Sequence, residues 1–157
     1  MKDNAEKIVS GILNVLDNPD VQAGYPDANG NTETTWCNRG ANRIAENLGG
    51  DMSIFLDPRG INWTTANTMF QNAVKNAKEI SDAEAQQEAN DGGLVLAACY
   101  NSKGPGHVAI VCPSDDPFHS ELGPLVGETG LKCRIIHSRL AFEKWGFEAR
   151  FFVIPKK

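Results

Sequence analysis

LVLAACYNSKGPGHVAIVC, residues 94–112, holds two apolar runs of strand length on either side of a short polar turn. Each run is too short for a helix of normal length and too apolar for a half-exposed strand, so both read as strands buried on two faces. The NSKGPG turn between them is short and rich in glycine and proline, and it predicts an antiparallel hairpin. Side-chain alternation then puts Ala109 and Val111 on the face of His107, and Val108, Ile110 and Cys112 on the other. The one polar residue at the head of a buried strand is His107.

Outward from the hairpin the pattern changes period. Residues 5–16, AEKIVSGILNVL, place Ile8, Ile12, Val15 and Leu16 on one helical face. In TTWCNRGANRIAENLGG (34–50), Cys37, Ala41, Ile44, Ala45 and Leu48 recur at helical spacing, with Thr34 or Thr35 as the expected cap and Gly49-Gly50 as the stop. Residues 64–76 and 81–90 read as further helices, the second opened by a capping box of Ser81 and Glu84. PLVGET (124–129), CRIIHS (133–138) and ARFFVI (149–154) supply later strands, with RLAFEKW (139–145) as a short helical turn. Helices first and an antiparallel sheet after make an α+β fold. The expected organisation is one domain over 1–157, with 1–24 as an N-terminal helical extension.

Composition narrows the function classes. The 157-residue chain carries 15 basic and 20 acidic side chains for a net charge of −5. The basic residues are dispersed, which argues against a phosphate-reading surface and so against nucleic acid. No apolar run approaches the roughly 18 residues needed to cross a bilayer. The acids in MKDNAEKIVSGILNVL argue against a signal segment, so synthesis in the cytoplasm is expected. A monomer is the expected state.

Cysteine and histidine carry the chemistry. Cys99 and Cys112 fall within or at the end of apolar strands, and without a CxxC pair or a secretory signal they and Cys133 read as reduced and structural. Cys37 differs in opening a helix. A thiolate there meets unpaired backbone N–H groups and the positive end of the helix dipole, and both favour the charged form. Such a nucleophile needs a base, and the base needs a group to hold its ring. His107, preceded by Gly104-Pro105-Gly106, is the candidate base, and Glu128, near the end of the next strand, is the candidate orienter. The loop PDANGNTE (26–33) spaces Asp27, Asn29, Asn31 and Glu33 as oxygen ligands around a glycine, a pattern open to either calcium or an Asx-rich turn.

With those residues in place, the chain resembles the CHAP and NlpC-type amidases, bacterial and phage cell-wall hydrolases of papain-like fold. The likeness is carried by TTWCNRGANRIAENLGG, by AQQEANDGGLVLAACYNSKGPGHVAIV (85–111) and by PLVGETG (124–130), and it runs from about residue 25 to the end. The chain departs from the family pattern in having Trp36-Cys37 where Asp-Cys or Gln-Cys is usual. The resemblance implies a cysteine amidase or endopeptidase acting on peptidoglycan after release or export. It assigns nucleophile, base and orienter to Cys37, His107 and Glu128, and an oxyanion or substrate contact to Tyr25 and Trp36. No cofactor is implied as required, though some relatives bind calcium ahead of the cysteine. A non-catalytic module binding the wall or a partner, and an acyltransferase with the same triad, are the alternative readings.

Overall fold

A computed structural model describes residues 1–143 and 146–157. Among these residues five α-helices and six strands follow in the order α1 (Asp3–Leu16), α2 (Cys37–Asn47), α3 (Ala66–Asn76), β1 (Glu79–Ile80), α4 (Asp82–Asn90), β2 (Leu94–Cys99), β3 (His107–Val111), β4 (Leu125–Glu128), β5 (Arg134–His137), α5 (Ser138–Glu143) and β6 (Arg150–Ile154). The strands form one antiparallel sheet of order β1-β6-β2-β3-β4-β5. The fold is α+β, as the order of helical and strand patterns predicts. The last two residues of RLAFEKW, 144 and 145, lie outside the described residues.

Both faces of the central strands are covered, so β2 and β3 are buried at every position. On one face Leu96, Ala98, Val108 and Ile110 meet Ile8 and Ile12 of α1, Ala41 and Ile44 of α2, and Met69 and Ala73 of α3. On the other, Ala97, Cys99, Ala109 and Val111 meet Ala85 and Ala89 of α4 and Phe142 of α5. The period-two alternation therefore holds while both phases are apolar. Helix α1 is no appendage: its Ile8 and Ile12 are part of the same core as α2 and the sheet. Gln86 of α4 closes the gap where β3 and β4 part, donating to the Cys112 carbonyl at 3.0 Å and accepting from the Leu125 amide at 3.0 Å.

The helix starts divide into two kinds. Thr65 caps α3, and Ser81 with Glu84 forms the expected capping box on α4. Helix α2 departs from expectation, because neither Thr34 nor Thr35 caps it. Trp36 occupies the cap position in the left-handed region at φ 63°, with no side-chain cap. An aromatic residue pays steric energy for that conformation, so tertiary contacts must hold it there.

Candidate active site

Three segments converge on the start of α2. The Trp36 indole N–H donates to the Tyr25 carbonyl at 2.8 Å, and the Thr129 hydroxyl donates to the Trp36 carbonyl at 3.2 Å. The Arg39 guanidinium lies 3.4 Å from the Trp36 ring centroid and donates to the Asp20 carbonyl at 2.9 Å. After β4 the chain turns through Gly130 at φ +100°, where a Cβ would strike the Thr35 carbonyl. A side chain is thus excluded at Gly130 by both space and backbone. Asn38 adds a fourth tie through its amide, which donates to the Thr64 carbonyl at 2.6 Å. The strained turn is held on every side, and it delivers Cys37 at the first position of the helix.

His107 reaches the same place from the sheet. In the β2–β3 register it pairs with Cys99, one residue beyond the turn. That turn is fixed by Asn67 of α3, whose amide nitrogen donates to the carbonyls of Asn101 and Gly104 at 2.9 and 3.0 Å while its oxygen accepts from the Asn101 amide at 2.9 Å. The Phe142 ring stands edge-on to the imidazole, with centroids 4.9 Å apart. Backbone and ring are both pinned.

His107 Nε2 and Glu128 Oε1 are 2.8 Å apart, with both side chains about 5% exposed. An ionised carboxylate can only accept, so Nε2 carries the proton and Nδ1 is the nitrogen left for the Cys37 thiol. The second carboxylate oxygen is taken by Arg134 Nε at 2.7 Å. Glu128 is therefore no solvated strand-end acid but a buried anion with two charged hydrogen-bond partners. Burial would raise its pKa, yet the bonds from His107 and Arg134 hold it below the usual carboxylate value.

The same balance operates along the row. Burial opposes the charged forms of Cys37 and His107. The hydrogen bond and charge of His107, with backbone hydrogen bonds at Val108 and Asn38, nevertheless bring the Cys37 thiol below its ordinary value. Hydrogen bonds to Cys37 and Glu128 push His107 up to about 9. Thiolate and imidazolium favour one another, which is the state a cysteine nucleophile needs. The other thiols lack such partners: burial lifts Cys99 to about 11 and Cys112 to about 12, and raises Cys133 as well.

The remaining expected site residues are placed differently. Trp36 is 7% exposed and its only donor is spent on Tyr25, so it shapes the turn beneath the site. Tyr25 is exposed, with Arg39 5.8 Å from its ring centroid. Asp27 Oδ1 accepts from the amides of Asn29 and Asn31, and Asn31 Oδ1 accepts from the Glu33 amide. The 26–33 loop folds as successive Asx turns that use two of the four candidate ligand groups on its own backbone. Among the described residues, no three His, Cys, Asp or Glu side chains form a group suited to a metal ion, and no helix is long and apolar enough to cross a membrane.

Sequence reasoning missed Arg134, Asn38 and Asn67. Arg134 had one signal to offer, a cation six residues beyond Glu128 and so within reach of a hairpin partner. The two asparagines had none. The chain matches no family model, and no curated protein matches its sequence.

Proposed function

We propose that the protein is a cysteine-dependent amide hydrolase of papain-like type, acting on bacterial peptidoglycan as an amidase or endopeptidase. The observation that carries the reading is the buried row in which Cys37 meets His107 and His107 meets Glu128 at 2.8 Å. Cys37 Sγ attacks the scissile carbonyl carbon, and its own backbone N–H at the helix start faces the developing oxyanion. His107 protonates the departing amine as the C–N bond breaks, leaving a thioester on Cys37. It then takes a proton from water as that water attacks the thioester, and the C–S bond breaks to release the acid and restore the thiolate beside the imidazolium. The choice of peptidoglycan, through either the muramic acid–alanine bond or a bond within the stem peptide, rests on the family resemblance.

The test is digestion of purified sacculi with the wild type and Cys37→Ala, with the new termini read by mass spectrometry. Wild-type protein should release fragments with one new amine and one new carboxyl terminus per cut, and the variant none. Intact sacculi after wild-type treatment, or equal digestion by both proteins, would overturn the assignment.

A further inference from the structure

The geometry points to Arg134 as a positioning residue that keeps Glu128 charged and aimed, and so sets the pH range over which Cys37 is reactive. The inference rests on the nucleophile reading above. Glu128 ends β4 and Arg134 opens β5, and the two are direct cross-strand partners. Cross-strand partners project to the same side of a sheet, so the register itself lays the guanidinium beside the carboxylate. The two oxygens are divided, Oε1 to His107 at 2.8 Å and Oε2 to Arg134 Nε at 2.7 Å. The Glu128 side chain is 5% exposed and that of Arg134 41%. Arg134 thus forms the outer cover of a carboxylate that would otherwise be buried with the histidine alone.

Two consequences follow. A carboxylate held at one oxygen can swing about its last bond, whereas one held at both presents a fixed acceptor to the imidazole. A buried anion also protonates more readily when a counter-charge is removed, and a protonated Glu128 no longer supports the imidazolium that keeps Cys37 ionised. The groups surrounding Glu128 make Arg134 the natural source of that charge. His107 faces it from β3 and Cys37 lies beyond on α2, while Ala141 of α5 lines the same cleft and the Phe142 ring stands against the imidazole. The 129–133 turn contributes the Cys133 thiol, which senses Glu128, and Lys132, which lines the same small cleft. Among the described residues, only Arg134 bonds to the second oxygen.

The test reads Cys37 alone, without any wall substrate. Rates of iodoacetamide alkylation at Cys37 are followed by mass spectrometry from pH 4.5 to 9 in wild type, Arg134→Gln and Arg134→Lys, with folding checked by near-ultraviolet circular dichroism. Arg134→Gln should alkylate roughly tenfold more slowly than wild type at pH 5, and within about threefold of it at pH 7.5, as an acid limb moved up by about one pH unit requires. Arg134→Lys keeps the charge and should stay within about threefold of wild type throughout. A Gln profile that overlays wild type, or a Lys profile displaced as far as Gln, would overturn the inference. If the Gln variant does not fold, a Lys profile displaced tenfold at pH 5 overturns it and an undisplaced one supports it. Failure of wild-type Cys37 to react ahead of the other thiols would instead strike the nucleophile assignment, so the two failures are distinguishable.

Discussion

Gly40 and Thr129 touch so closely that a Cβ on Gly40 would overlap the Thr129 hydroxyl, methyl and Cβ. That contact presses the helix carrying Cys37 onto the residue that follows Glu128, and Thr129 also donates to the carbonyl just ahead of Cys37. Gly40→Ala should therefore separate helix and strand. Overpacking of this kind costs on the order of 1–3 kcal/mol, or roughly 2–4 °C in melting temperature per kcal/mol for a chain of this size. Activity should fall further than stability, because the displaced element bears Cys37. Thr129→Gly removes the obstructing atoms, so the double variant should be more stable than the sum of the single changes. Strict additivity in that cycle would disprove the contact.

The four cysteines should differ sharply in reactivity. Cys37 alone is held below its ordinary pKa, while Cys99, Cys112 and Cys133 are raised. A limiting dose of iodoacetamide at pH 6 should modify Cys37 at least tenfold faster than any other thiol in the folded protein, and urea should abolish the difference. Peptide mapping of the labelled protein reads both. Equal labelling before denaturation would mean that Cys37 is an ordinary buried thiol.

How far the sequence exposes this site depends on the range of each interaction. The hairpin and the amphipathic helices are legible because a short repeat of apolar residues suffices to specify them. The meeting of Cys37, His107 and Glu128 is legible because each stands at the end of such an element, where a polar group can emerge from a core. The left-handed Trp36 is not. Local propensity favours a threonine cap, and the observed turn is fixed by Tyr25 and Thr129, 11 and 93 residues away. Strand β1 has two residues and no period, and the placement of β6 between β1 and β2 is a matter of topology. The second partner of Glu128 is not legible either, because Arg134 reaches the carboxylate through the β4–β5 register.

The 26–33 loop makes a definite prediction about calcium. Asp27 Oδ1 and Asn31 Oδ1 already accept backbone amides, so the loop is held by its own hydrogen bonds. Millimolar calcium should leave the melting temperature unchanged, since a ligand bound only by the folded state would raise it. Asp27→Ala should loosen the turn, at a cost of about 1 kcal/mol for the two lost hydrogen bonds at an exposed site. A calcium-dependent rise that Asp27→Ala removes would establish a metal site in place of the turn.

Stability should carry the signature of the His107–Glu128 pair. The His107 value is raised from 6.5 to about 9 on folding, so the stability it contributes is complete below 6.5 and disappears as the pH climbs through about 9. Glu128 is lowered from 4.5, so its contribution is complete above 4.5 and is lost as the pH falls through the depressed value. Both are in force between about 4.5 and 6.5. The lowered Cys37 value has its own opposite dependence, and because Cys37 is held down through His107, which Glu128 supports, the same comparison in a Cys37→Ala background isolates the His107–Glu128 pair. Glu128→Gln keeps an acceptor for the ring and removes the charge. Because Glu128 is buried with two charged partners, the substitution should also destabilise the fold, leaving Arg134 and the imidazolium short of an anion. Urea unfolding of wild type and Glu128→Gln should differ by on the order of 1–3 kcal/mol at pH 5.5. The gap should narrow steadily from pH 6.5 to 9.5, as His107 loses its proton in the folded state. A gap independent of pH across that range would mean that His107 is neutral in the folded protein, and that Cys37 and His107 rest as thiol and imidazole rather than as an ion pair.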